Sequence, residues 1–218
     1  MKKTYECFLF DLDGTLLDTL DDLWASVNYA LAVCGYPLRE RDEVRNFIGN
    51  GVAKLMERAL GEGANEADRE RALALFKEYY GAHCEEKTKA YDGVINVLKA
   101  LKAAGKKVGI VSNKAAFAVE ILAKSYFGDL VGVAIGENEA AGICKKPAPD
   151  TVLAAIRALG AEHLATVYIG DSEVDLQTAE NADLDCISVT WGMKDEEFLL
   201  RHGAKTIVRE PMELLAFL

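Results

Sequence analysis

Short apolar, β-branched runs alternate with segments of helical period over most of this chain, and that alternation restricts the fold more than any other feature. The runs are YECFLF (5–10), KVGIVS (107–112), LVGVAIG (130–136), ATVYIG (165–170), DCISVT (185–190) and KTIV (205–208). Between the later ones lie VINVLKALKAAG, AAFAVEILAKSYF, PDTVLAAIRALG, VDLQTAENA and EEFLLRHG, each with apolar residues at helical spacing. Strands alternating with helices predict an α/β fold, a parallel sheet with helices on both faces. Gly105, Gly160 and Gly203 fall where helix C-caps are expected, and Pro149 fits a first helical position.

One region breaks the alternation. From Asp18 to Tyr91 no strand is evident, whereas TLDDLWASVNYALAVCG, ERDEVRNFIG, GVAKLMERALG and EADRERALALFKEYYGAHCEEK all have helical patterns. An all-α block between the first and second strands is predicted to be an inserted cap domain, residues 18–91. The α/β core is then residues 1–17 and 92–218. The insert is placed over the C-terminal strand ends, where open α/β sheets bind ligands.

Polar residues concentrate at those strand ends. The first run leads into Asp11-Leu12-Asp13-Gly14-Thr15, two acids on one side of a strand end, with Asp18 close behind. Like charges at that range raise one pKa or require a cation. The second run ends in VSNK (111–114); Ser112 or Asn113 there either caps the helix starting near Ala115 or holds a phosphate on a hydroxyl and free amides. CKKPAPD (144–150) offers Lys145 and Lys146, the latter restrained by Pro147. YIGDSEVD (168–175) offers Asp171 and Asp175 where a helix starts.

A parallel sheet brings these clusters to one rim. An oxygen-only ligand set, with no His or Cys nearby, suits a hard divalent cation, and Mg²⁺ is the natural choice. A carboxylate nucleophile beside a metal and an amine, with a second carboxyl to move protons, is equipment for phosphoryl transfer through an aspartyl-phosphate.

Composition sets the partners. A net charge of −10 argues against a nucleic-acid or anionic-membrane surface. No uncharged run approaches the ~18 residues of a membrane span, and Asp11 cuts short the apolar stretch that a signal peptide needs. The five cysteines, Cys7, Cys34, Cys84, Cys144 and Cys186, are scattered and unpaired in pattern, as free thiols are in a reducing cytoplasm.

DLDGTLLDT, VSNK, KKPAPD and GDSEVD, in that order, resemble the four motifs of the haloacid dehalogenase-like hydrolase superfamily. The helical insert is similar to the cap of the subgroup that contains phosphoglycolate phosphatase and β-phosphoglucomutase. FIGNGVAKLMERAL (47–60) and SVTWGM (188–193) look most like the phosphoglycolate phosphatase branch.

The resemblance implies a Rossmann-like core and assigns roles. Asp11 is the expected nucleophile and Asp13 the acid and base. Asp11, Asp171 and the backbone carbonyl of Asp13 are expected on Mg²⁺, with Asp175 in the outer shell or as a ligand. Ser112 and the Asn113 amide are expected to hold phosphate oxygens, and Lys146 to balance charge on nucleophile and phosphoryl group. Asn50, Gly51 and Lys54 are expected cap contacts to substrate. Arg45 is a further option there, although an exposed helix charge is its default. Asp183 stands where relatives commonly have Gly, and WGMK departs from the usual WGF continuation.

The implied activity is a Mg²⁺-dependent, cytoplasmic phosphatase, monomer or homodimer, acting on a small phosphorylated metabolite, best 2-phosphoglycolate. The alternatives are a β-phosphoglucomutase-like phosphomutase, a pyrophosphatase or a nucleotidase of the same superfamily. Cap hinges are expected near Leu17–Leu20 and Ala90–Gly93.

Overall fold

A computed structural model describes residues 3–138 and 142–218. Its main sheet has six parallel strands: β1 (Cys7–Phe10), β4 (Lys107–Ala115), β5 (Val133–Glu137), β6 (Thr166–Gly170), β7 (Asp185–Val189) and β8 (Ile207–Val208). Their spatial order is β5-β4-β1-β6-β7-β8, so the chain starts in the middle, builds outward on one side, then returns to build the other. β1 lies in register with both neighbours, Phe10 opposite Ile110 of β4 and Ile169 of β6.

Strand alternation explains the burial. Phe8 and Phe10 face one apolar layer together with Val108, Ile110, Val167 and Ile169. Cys7 and Leu9 face the other with Val111 and Tyr168. Helix α5 (Val94–Ala103) covers the first face through Val94, Val97, Leu98 and Leu101. Helices α7 (Asp150–Leu159) and α8 (Glu173–Asn181) cover the second through Val152, Ala155 and Ala179. β1 is apolar on both faces because helices bury both. Helix α6 (Ala116–Tyr126) connects β4 to β5, and α9 (Glu196–Arg201) connects β7 to β8. The chain closes in a 3-10 turn, Pro211–Phe217, which buries Leu214 and Phe217.

Helices α1 (Leu20–Cys34), α2 (Arg41–Phe47), α3 (Val52–Leu60) and α4 (Glu66–His83) come between β1 and β4. Leu23, Val27 and Leu31 of α1 share one apolar cluster with Val44, Leu55, Met56, Phe76 and Tyr80. The interval from Asp18 to Tyr91 is not free of strand. β2 (Leu17–Asp18) pairs antiparallel with β3 (Lys89–Ala90), where the two chain crossings lie side by side. A ladder of two residues leaves no alternation to read. Buried Asp22 ties the same junction, accepting from Lys87 N (3.0 Å), Thr88 N (2.8 Å) and Thr88 Oγ1 (2.8 Å).

Boundaries move by a residue in places. Pro149 is the N-cap of α7 rather than its first residue. Gly160 caps α7 in the left-handed conformation, whereas Gly105 and Gly203 each follow the capping residue, Ala104 and His202. Asp183 is the one non-glycine residue with positive φ (55°) among those described. Asp tolerates that conformation better than most side chains.

Candidate active site

The first strand ends at Phe10, and Asp11 leaves the sheet with its carboxylate held by its own loop: Leu12 N donates to Asp11 Oδ1 at 2.7 Å. The chain then turns back, with Gly14 N donating to Leu17 O at 2.9 Å. Gly14 has φ +85°, and a Cβ there would lie 2.3 Å from Asp171 Oδ2, so only glycine fits between the two acidic strand ends.

At the end of β6, the helix begins one residue later than a capping Asp171 would require. Ser172 is the N-cap of α8 and forms a reciprocal capping box with Asp175. That leaves Asp171 free to project over the sheet end. Its Oδ1 accepts from Thr15 Oγ1 (3.2 Å) and its Oδ2 from Met193 N (2.6 Å). Oxygens of Asp11, Asp171 and Asp175 come within 4.8 Å of one another, and all three residues are buried.

Lys146 lies within this acidic group. Its Nζ is 2.9 Å from Asp11 Oδ1 and 2.7 Å from Asp175 Oδ1, and it donates to Tyr168 Oη at 3.0 Å. Tyr168 Oη in turn donates to Val111 O at 3.1 Å, fixing the phenol under the lysine. Asp175 Oδ2 accepts from Ser172 N and Oγ, so both its oxygens are engaged in holding Lys146 and the start of α8.

Asp13 stands apart from that trio. Its Oδ1 accepts from Thr19 Oγ1 at 2.6 Å and lies 3.0 Å from Lys114 Nζ. Thr19 is the N-cap residue of α1, yet its hydroxyl serves Asp13 and makes no capping bond. Lys114 is buried, with the ring of Tyr80 from α4 at 4.6 Å.

Neither Ser112 nor Asn113 caps α6. β4 continues to Ala115, which is itself the N-cap. Ser112 instead lies at the rim, and its Oγ accepts from Lys114 N (3.3 Å). The Asn113 side chain brackets Lys146, with Oδ1 accepting from Lys146 N (2.7 Å) and Nδ2 donating to Lys146 O (2.9 Å) and to Gly49 O (3.1 Å).

The electrostatics follow from crowding. Burial raises the Asp11 carboxyl to about 7; Lys146 pulls it down, while Asp175 and Asp13 push it up. Burial also raises Asp171 well above the carboxylate range, helped by Asp175 and Asp11. Lys146 behaves oppositely. Burial would lower it, but Asp11 and Asp175 more than compensate and hold it well above its ordinary value. Lys114 is raised for the same reason, with Asp13 and Tyr80 outweighing burial. Three close acids, with Lys146 between two of them, leave the site short of positive charge. An all-oxygen, buried carboxylate set fits a hard divalent cation, which would supply that charge.

These groups line a cleft of about 570 Å3 open to solvent. Asp11, Asp13, Ser112, Asn113, Lys114, Lys146, Asp171 and Lys194 form its core side, and Leu23, Ile48, Gly49, Gly51, Val52 and Leu55 its roof. Of the expected cap contacts, Gly51 lines the cleft. Lys54 is exposed and paired with Glu57 at 2.9 Å, and Asn50 Oδ1 is taken by Arg58 at 2.8 Å. Arg45 is half-buried, not simply an exposed charge, and its Nη2 donates to Gly192 O (2.9 Å), next to the Met193 amide that binds Asp171.

Lys114, Thr19, Tyr168 and Met193 were not singled out from sequence. A signal existed for Lys114: it lies two residues from Ser112, and a regular strand would turn both side chains the same way.

The haloacid dehalogenase-like hydrolase family profile matches residues 8–189. Phosphoglycolate phosphatase 1 of Pseudomonas aeruginosa is 36% identical over 213 residues, covering 95% of this chain and 77% of that protein. The phosphoglycolate phosphatase of Pseudomonas putida is 35% identical over 190 residues, 84% of this chain and 69% of its own. A crystal structure from Lactobacillus delbrueckii subsp. bulgaricus, provisionally titled a phosphoglycolate phosphatase, superposes with a TM-score of 0.90 at 35% identity and covers 97% of both chains. This chain, with its six-stranded parallel sheet and acidic strand ends, therefore belongs to the haloacid dehalogenase-like hydrolases, among relatives that are phosphatases.

Proposed function

We propose that the protein hydrolyses a small phosphate monoester, with 2-phosphoglycolate as the preferred substrate, through a phosphoryl group carried on Asp11. The observation that carries this reading is Lys146 Nζ at 2.9 Å from Asp11 Oδ1, with Asp13 a short step away on its own hydrogen bonds. Asp11 attacks phosphorus. Asp13 delivers a proton to the departing oxygen and then takes one from the water that cleaves the aspartyl-phosphate. Ser112 and the Asn113 amide hold phosphoryl oxygens, while Lys146 offsets their charge. Asp11, Asp171 and the carbonyl of Asp13 would hold Mg²⁺, which would supply Lewis-acid stabilisation of the phosphoryl oxygens. Asp175, with both oxygens engaged, serves as an orienting group for Lys146.

Hydrolysis is favoured over mutase chemistry by the roof of the cleft. A phosphomutase must retain a bisphosphate, which calls for cationic groups on the cap. Among the described residues the cap lining is Leu23, Ile48, Gly49, Gly51, Val52 and Leu55, with no charged side chain. Among the described residues lining the cleft, Lys194 is the cation not set against a carboxylate, and its Nζ is 5.1 Å from the Phe198 ring centre. It suits the second negative group of a short substrate such as 2-phosphoglycolate. Residues 18–91 act as the cap, bending at the β2/β3 crossing to admit substrate and exclude water. The enzyme is placed in the cytoplasm, where its five free thiols would stay reduced; among the described residues no helix is long and apolar enough to cross a membrane.

A panel of phosphate esters assayed with Mg²⁺ tests the reading: 2-phosphoglycolate, sugar phosphates, nucleotides and pyrophosphate, ranked by kcat/KM. The expected order has 2-phosphoglycolate first, with free phosphate as product. A sugar phosphate isomerised without phosphate release would overturn it.

A further inference from the structure

Helix α2 ends at Phe47 without a glycine cap, and the chain passes through Ile48 in an extended conformation before α3 starts after Gly51. The connecting loop has two left-handed glycines, Gly49 (φ +122°) and Gly51 (φ +83°), and it forms much of the roof of the cleft. Phe47 and Ile48 pack against the apolar cluster, but the two glycines beyond them contribute no side chain, so the shape of the 49–51 stretch must be set by something else. Arg58, in the last turn of α3, reaches back across it. Nη1 donates to Phe47 O at 2.7 Å and Nη2 to Asn50 Oδ1 at 2.8 Å. One planar guanidinium thus satisfies the terminal carbonyl of α2 and pins the side chain at the loop's centre.

The loop then meets the core through a hydrogen bond from Asn113 Nδ2 to Gly49 O at 3.1 Å. The same amide nitrogen donates to Lys146 O, and Asn113 Oδ1 accepts from Lys146 N. A continuous path therefore runs from Arg58 through the loop to the segment carrying the lysine that sits on Asp11. There is little slack in it. A Cβ on Gly51 would lie 3.2 Å from Glu137 Oε2 and 3.4 Å from Asn113 O.

We propose that Arg58 is a positioning residue for the reaction, fixing the 47–51 loop so that Gly49 docks on Asn113 and the roof closes over the bound ester. The proposal rests on the cleft being the substrate site. Arg58 touches neither substrate nor the reacting groups, so its effect is on how often the roof is in place.

Two substitutions and two readouts test it. Hydrogen exchange of the 48–52 amides, measured without substrate, should be at least about tenfold faster in Arg58→Met, with α1 and α4 unchanged. In steady-state kinetics on the best ester, kcat/KM should fall about tenfold, with most of the loss in KM. Arg58→Lys should recover little of either, because one ammonium cannot span both acceptors. Unchanged exchange at 48–52, faster exchange spread over the whole helical region, or full recovery by Arg58→Lys would each overturn the proposal. If the wild-type protein turns over no phosphate ester, the functional reading fails, while the exchange measurement still decides whether Arg58 fixes the loop.

Discussion

Lys114 Nζ lies 3.0 Å from Asp13 Oδ1, the same oxygen that accepts from Thr19 Oγ1 at 2.6 Å. The two donors come from different parts of the chain, one from the central sheet and one from the entrance to the helical insert. Both grip a single oxygen and fix the carboxylate's orientation, leaving Oδ2 as the edge that would move the proton in the proposed reaction. Asp11 is treated differently. It faces Lys146 and the other acids, so two carboxylates two residues apart acquire separate environments.

Removing one of the grips on Asp13 should slow chemistry more than it weakens binding. Lys114→Met is expected to lower kcat about 10–100-fold, less than the roughly 10²–10⁴-fold contribution of a general acid and base because Asp13 is misplaced and not removed. Thr19→Val should have a smaller effect in the same direction. Steady-state kinetics checks this, with circular dichroism confirming that each variant is folded. A Lys114→Met enzyme with wild-type kcat would show that Asp13 needs no such support.

The junction between insert and core should be sensitive to Asp22. Its carboxylate is 3% exposed and accepts from Lys87 N, Thr88 N and Thr88 Oγ1. Asp22→Ala leaves buried donors unpaired and should cost about 2–3 kcal/mol of stability. Thr88→Val, which removes one of these bonds, should cost about 1 kcal/mol. Urea unfolding of the three proteins measures both.

Metal and proton should compete. Without a cation, the folded-state pKa of Asp11 is about 7 against an ordinary value of 3.8, so the folded protein holds more protons than the unfolded chain between those values. Metal-free stability should therefore fall as pH rises through that window, with Asp171 acting in the same direction. A divalent cation on these acids would remove the penalty by replacing the protons, so the stabilising effect of added Mg²⁺ should grow with pH. Thermal unfolding in EDTA and in Mg²⁺ at several pH values tests the sign. A larger Mg²⁺ effect in acid than at neutral pH would contradict it.

Much of this was legible in the sequence because the informative residues are local. Asp11, Ser112 and Asp171 each sit at the end of an apolar run, and a parallel sheet brings such ends together whatever the details of the loops. The turn at Gly14 and the helix start at Ser172 are short-range too. What escaped depends on partners far away in the chain. Arg45 reads as an ordinary helix charge until the fold puts Gly192 O beside it. Arg58 reads the same way until Phe47 O and Asn50 are seen within its reach. The β2/β3 ladder is too short to leave a period, and Tyr168 looks like a core aromatic until Lys146 is placed on its hydroxyl.

The central claim is that Asp11 carries the phosphoryl group, and trapping that group tests it most directly. Wild-type protein mixed with Mg²⁺ and a turned-over phosphate ester is quenched in acid, digested and mapped by mass spectrometry. The expected result is a phosphoryl group on the peptide containing Asp11, absent from Asp11→Asn, with turnover in that variant reduced at least about 10³-fold. A phosphoryl group on another residue, or near-normal turnover in Asp11→Asn, would contradict the account.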